Sequence, residues 1–194
     1  MTKHWPAALL AAFLLVGCTS VKINTGPPTD EESTARSDTQ AREFKTDWYS
    51  RLSHADPMGK VSLMNELINQ LAVGYIRYGH NVADIWRDAQ RDAGVPVPAS
   101  DIIQMIERST ATDQPMIQAQ TDMVEYGINE IVTNGVFRPE FIDDLNDYRD
   151  FFNEVYNGVF LPSGTLPDYL ENLDNLDARR ATFYDRILAE TRED

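Results

Sequence analysis

Between Met58 and Ala93 the apolar residues Met64, Leu67, Leu71, Tyr75, Tyr78, Val82, Ile85 and Ala89 fall three or four positions apart without a break. A β-strand turns over every second residue, so this spacing belongs to a helix and to one side of it. Unbroken, such a helix runs ~50 Å at 1.5 Å per residue, and its apolar seam must be covered along its whole length. Only other long helices lying beside it can do that, which commits the chain to a helical bundle. Gly74 and Gly79 interrupt the seam. Each glycine costs about 1 kcal/mol against alanine inside a helix, so a bend or a close helix crossing is expected there.

The rest of the chain has the same period. A first helix is expected over Thr39 to His54, with Phe44, Trp48 and Leu52 on one stripe. Asp56-Pro57 has the form of a cap followed by a first-turn proline and opens the long helix. Ser100 is read as the cap of a short helix reaching Arg108. Pro115 opens a helix to Thr133, with Met116, Gln120, Met123, Gly127 and Ile131 in line. Pro139 opens the next, striped by Phe141, Leu145, Tyr148, Phe152 and Val155, and a last helix begins near Pro167 with Tyr169, Leu173, Leu176, Phe183 and Ile187. No alternating or hairpin-spaced segment competes with this reading. The expected fold is all-α, a bundle of five or six helices.

Two connectors are nearly the same hexapeptide, Asn134-Gly135-Val136-Phe137-Arg138-Pro139 and Asn157-Gly158-Val159-Phe160-Leu161-Pro162; Gly94-Val95-Pro96-Val97-Pro98 shares their Gly-Val-x-x-Pro core. Helix-stop chemistry explains the likeness: glycine takes the left-handed position, the next hydrophobe packs back, and proline redirects the chain. A paired Val-Phe recognition surface is the functional alternative. No longer repeat surrounds the connectors, so a solenoid array is not indicated.

The N-terminus differs in kind. Lys3 is followed by the uncharged run Ala7 to Val16 and by Gly17, the three parts of a secretory signal. About ten apolar residues are too few to cross a bilayer, which takes roughly 20. Leu15-Val16-Gly17-Cys18 resembles the lipobox of bacterial lipoproteins, and Cys18 is the only cysteine in the chain. The resemblance implies cleavage after Gly17, diacylglycerol on the Cys18 sulfur and an acyl group on the new N-terminus. Two or three chains are what durable anchoring needs. Thr19, where many Gram-negative lipoproteins retained at the inner membrane carry Asp, implies transfer to the outer membrane, facing the periplasm or the cell surface. The organisation expected is therefore a cleaved signal at 1–17, a lipidated flexible tether at 18–38 and an acidic helical domain at 39–194. The tether contains Pro27-Pro28 and few apolar residues, and a coil of that length spans ~25 Å.

Charge and cysteine use then exclude several classes. The formal charge of −14 becomes −15 when Lys3 leaves with the signal. Nucleic acid and anionic headgroups should repel such a body, so the membrane is met through the lipid and no nucleic-acid partner is expected. Without a second cysteine, the body has no disulfide, thiol nucleophile or cysteine-held metal.

No catalytic pattern stands out. Asp143, Asp147 and Asp150, beside Asp144, share one helix face, and Asp168, Glu171, Asp174 and Asp177 form a second acidic set. A calcium site would want such carboxylates, but the glycine and terminal glutamate of an EF-hand loop are missing, and a solvated acidic face accounts for both sets. His54 and His80 lack partners at metal-ligand spacing. Glu32-Ser33 is similar to the Glu-Ser pair of lytic transglycosylases, but no other motif of that family follows, and a tether offers nothing to desolvate the glutamate. Neither Gly-x-Ser-x-Gly nor Ser-x-x-Lys occurs. Trp48, Tyr75, Tyr78, Trp86, Tyr126, Phe151 and Phe152 read mainly as core, with Phe151 at its edge; an exposed aromatic there, or at Phe137 or Phe160, would mark a partner surface.

The expected function is a membrane-anchored, non-catalytic helical module that binds or assembles an envelope protein partner, with no cofactor and no metal. The alternatives are an enzyme acting on cell wall or lipid, and a carrier of a small apolar ligand in a cavity lined by Tyr75, Tyr78 and Trp86.

Overall fold

The computed structural model describes residues 30–191, with side chains from Ser33 onward. The described residues form six helices and no strand: α1 (Asp30–His54), α2 (Pro57–Ala93), α3 (Ala99–Thr110), α4 (Gln114–Thr133), α5 (Pro139–Phe160) and α6 (Leu166–Glu190). This is the all-α bundle that the apolar spacing requires. None of these helices is long and apolar enough to cross a membrane.

The starts and stops are chemical. Asp56 caps α2 by accepting the Gly59 N–H at 2.6 Å, and Pro57 fills the first turn, where a missing N–H costs nothing. Gly94, at φ +68°, ends α2 in the left-handed region while its N–H bonds to the Gln90 carbonyl. Thr165 and Asp168 cap α6 reciprocally. Hydrogen bonds from the Thr165 hydroxyl and N–H hold the Asp168 carboxyl below its ordinary range. Ser100 is not a cap: α3 starts after Pro98, and Ser100 lies inside its first turn.

The central helix is α2. Its buried residues include Val61, Met64, Leu67, Ile68, Ala72, Tyr75, Ile76, Val82, Ala83 and Trp86, a wider surface than the single seam expected. Positions such as Ile68, Ile76 and Trp86 fall between seam residues, so the helix is covered on two sides. Partner residues fix the directions. Lys60–Glu130 and Tyr75–Gln120 set α4 antiparallel to α2. The rings of Phe152 and Phe160 against Tyr75, with Tyr148 bonded to the Asn65 carbonyl, set α5 parallel to it. Trp86–Tyr169 and Arg180–Asn69 set α6 antiparallel. Thus α2 and α5 form the middle, with α4 on one side and α6 on the other, while α1 lies outside α4 and α3 folds back along the end of α2.

Small residues set the closeness of two crossings. A β-carbon at Gly79 would meet Leu173 at 2.7 Å, so α2 and α6 approach closely there. Gly74, by contrast, has open space. Gly158 departs from the expected helix stop: it lies inside α5, where a β-carbon would meet the Asn172 amide at 2.7 Å and Leu176 at 2.9 Å. Among the described residues the left-handed glycines are Gly94, Gly135 and Gly164. The near-identity of the two hexapeptides therefore conceals different jobs, a turn at Asn134–Pro139 and a helix–helix contact followed by the end of α5 at Asn157–Pro162.

The first helix also differs from expectation. It begins at Asp30, so the stretch to Asp38 read as tether is helical, and Ser37 is buried. Ser37, Ala41, Trp48 and Leu52 form the buried side of α1, with Phe44 half-buried between them. The remainder of the expected tether, and Cys18 with its signal, lie outside the described residues.

Candidate functional site

The sites weighed from sequence scatter over the bundle. Asp143, Asp147 and Asp150 point to solvent from α5; Asp144 is tied to Arg186 at 2.8 Å, and Asp150 to Arg149 at 3.2 Å. In the second acidic set, Asp168 serves the cap and Asp177 pairs with Arg180 at 2.8 Å. Among the described residues no group of three or more His, Cys, Asp and Glu is placed to hold a metal ion. His54 ends α1 with Nδ1 donating to the Ser50 carbonyl at 2.7 Å, and His80 lies mid-way along α2, on a different segment. Glu32-Ser33 belongs to the first turn of α1 and not to a tether.

The aromatic set is mostly core. Trp86 is fully buried and donates its indole N–H to the Val97 carbonyl at 2.9 Å. Tyr75 is surrounded by Phe152, Tyr156 and Phe160, and its hydroxyl donates to Gln120 Oε1 at 2.8 Å, satisfying both buried groups. Tyr78 stacks on Phe160 at 5.5 Å. The three residues proposed to line a carrier cavity are thus packed against the protein's own side chains. Burial raises the phenols of Tyr75, Tyr148 and Tyr169 far above the ordinary tyrosine range. Phe151 is 1% exposed, not at an edge, and Phe160 is buried. Phe137 packs half-buried on Phe141. The exposed large hydrophobic side chains of the two hexapeptides are the aliphatic Val136 and Leu161.

One polar notch breaks the aromatic surface. The Tyr78 hydroxyl meets Ser109 Oγ at 3.1 Å, and Asp113 acts on the same phenol electrostatically. Desolvation pushes the Asp113 carboxyl above its ordinary value. Asp113 stands at the N-cap position of α4, yet its side chain makes no capping bond. A hydrolytic site would need a histidine or second carboxylate beside it; the groups named at this notch are one hydroxyl, one phenol and one acid.

The outer face of α1 and α4 has a different character. Tyr49 and Tyr126 are 39% and 37% exposed, the only exposed aromatic side chains among the described residues. Their rings meet edge to face with centroids 4.7 Å apart. One turn away, Lys45 Nζ lies 2.6 Å from Asp122, whose other oxygen accepts from Gln118 at 2.7 Å. These hydrogen bonds hold Asp122 below the usual carboxylate range, and the bond to Asp122 raises Lys45. Beyond Tyr126, Glu125 faces Arg149 at 4.0 Å and Asn153 at 3.5 Å on α5. A rigid aromatic pair with a rim of fixed charges has the make-up of a protein contact patch.

No protein-family model matches this chain, and no curated protein or solved structure matches it. Of the two tyrosines, Tyr126 was among the aromatic residues singled out from sequence and Tyr49 was not. The available signal was register: Tyr49 follows Trp48 and Tyr126 precedes Gly127, each one residue off a buried stripe and so at its margin.

Proposed function

We propose that this protein is a membrane-anchored envelope lipoprotein whose helical body is a non-catalytic docking module for a protein partner. Lipid on Cys18 holds it at the outer membrane, and the α1–α4 face carries the contact. The supporting observation is the exposed, mutually braced Tyr49–Tyr126 pair, the other aromatic side chains among the described residues being buried or half-buried. Tyrosine offers a large contact area at little cost in side-chain freedom, and here each ring already limits the other. The formal charge of −14 favours a partner whose contacting surface is basic.

Two comparisons test this reading. Chemical crosslinking of the lipidated protein in its native envelope should yield a discrete protein adduct. The adduct should be lost in a Tyr49→Ser/Tyr126→Ser variant that unfolds at the same temperature. An adduct unchanged by the double substitution removes the α1–α4 face from the reading, and no adduct at native abundance removes the docking role. For the anchor, Cys18→Ser should release the protein or leave it uncleaved.

A further inference from the structure

The direction of α1 determines which end of the bundle meets the membrane. Lys45–Asp122 and Tyr49–Tyr126 pair residues in the same order along both helices, so α1 runs parallel to α4. Its first residue, Asp30, therefore lies at the end of the bundle where α4 begins, α5 ends and α2 ends. Lys45 pairs with Asp122, and Asp122 lies on α4 between Gln120, which meets Tyr75 of α2, and Glu130, which meets Lys60. Counting back along α1 from Lys45 at 1.5 Å per residue puts Asp30 about level with the Trp86 region of α2. Gly94, eight residues past Trp86, stands farther out in the same direction by about 12 Å, and the turn comes back to the Trp86 indole at Val97.

That turn is apolar and held. Val95 is 60% exposed, Gly94, Pro96 and Pro98 are also exposed, and the buried Trp86 indole grips the Val97 carbonyl from below. Twelve residues, Cys18 to Thr29, separate the anchor from α1. A chain of that length, fully extended, reaches at most about 40 Å. The tip's protrusion thus lies within the reach of the connecting chain. The opposite end, with Val136 63% exposed in the α4–α5 turn, lies the full length of α1 away.

We propose that the bundle stands end-on at the bilayer, with the Gly94–Pro98 turn resting on the lipid surface and the Asn134–Arg138 turn pointing away. This placement rests on the anchoring reading of Cys18. The net acidity of the body keeps its flanks off anionic headgroups, so the turn is the part that touches. Anchoring supplies the effective concentration that one exposed valine and its neighbours lack on their own.

The test uses the full chain, lipidated in cells and reconstituted into vesicles of phosphatidylethanolamine and phosphatidylcholine. Acylation blocks the one native thiol, so Val95→Cys or Val136→Cys gives a single labelling site, and both positions are exposed enough to bear a fluorophore without disturbing the core. The expected result is quenching of the probe at 95, several-fold stronger than at 136, by a quencher carried in the lipid headgroup region. Equal insensitivity at both positions in acylated protein overturns the end-on placement, as does stronger quenching at 136. The mass of the mature protein separates the two readings. Absence of the acyl mass overturns the anchor and the placement together, whereas acylated protein with position 95 in water overturns the placement alone.

Discussion

Gly127 of α4 lies against Met64 of α2, so closely that a β-carbon at 127 would overlap the methionine sulfur. Both residues are buried, and the crossing they form helps set the spacing between the two helices. Gly127→Ala should therefore destabilise the protein by about 1–3 kcal/mol through overpacking, against the ~1 kcal/mol that alanine gains within a helix. Met64→Ala should cost on its own, and the pair together less than the sum, because the alanine methyl enters the space vacated. Urea unfolding followed by circular dichroism measures all three; an undiminished stability in Gly127→Ala would mean that the helices are not held at this distance.

Gly74, on α2, provides the converse case. A β-carbon there meets nothing within 4 Å. Gly74→Ala should raise stability by about 0.5–1 kcal/mol, since alanine restricts the unfolded chain and strains nothing in the folded one. A loss of stability by the same measurement would show that the glycine is needed for a bend.

Asp113 gives a pH signature. Its folded-state value is raised by desolvation, so ionisation penalises the folded state above that value and the penalty disappears as pH falls below the ordinary carboxylate range. Asp113→Asn removes the charge without losing a capping bond. The variant should melt higher than the parent near pH 7, and the two should converge below about pH 4. A constant difference across this range would assign the effect to packing.

The Lys45–Asp122 pair has the opposite sign in acid. Asp122 is depressed chiefly by its bond from Lys45, so the stabilisation is present above the ordinary carboxylate range and lost as pH falls through the depressed folded-state value. Lys45 is raised by the same bond, so its share is present at neutral pH and lost only as pH climbs through the raised lysine value. Both side chains are about one-third exposed, and a double-mutant cycle on Lys45→Ala and Asp122→Ala should give a coupling under about 1 kcal/mol at pH 7. A much larger coupling would make this pair, and not the apolar seam of Ala41, Trp48 and Leu52, the main attachment of α1.

How far the structure was legible varied with the kind of signal. The start and end of α2 followed from Asp56-Pro57 and Gly94, because cap geometry is local chemistry. The stripes of α4, α5 and α6 were legible because their apolar faces are continuous. The N-terminal third of α1 was not: from Asp30 to Thr39 there is little apolar periodicity, and the buried residue that marks the helix is Ser37. Gly158 misleads because its neighbours copy those of Gly135, yet it lies inside α5, close against Asn172 and Leu176 of α6. The α1–α4 patch was half legible, since Tyr126 stood among the aromatics while Tyr49 acquires meaning only when α4 is laid beside α1.

The most direct test of the docking account places a photo-crosslinking amino acid at position 49 in the full-length protein within its own envelope, with position 174 as the comparison. Position 174 is exposed on α6, across the α2–α5 pair from α1 and α4. The account predicts one discrete protein adduct from position 49, weakened by added salt as a basic partner surface requires, and none from position 174. No adduct at 49, or the same adducts from both positions, would contradict it.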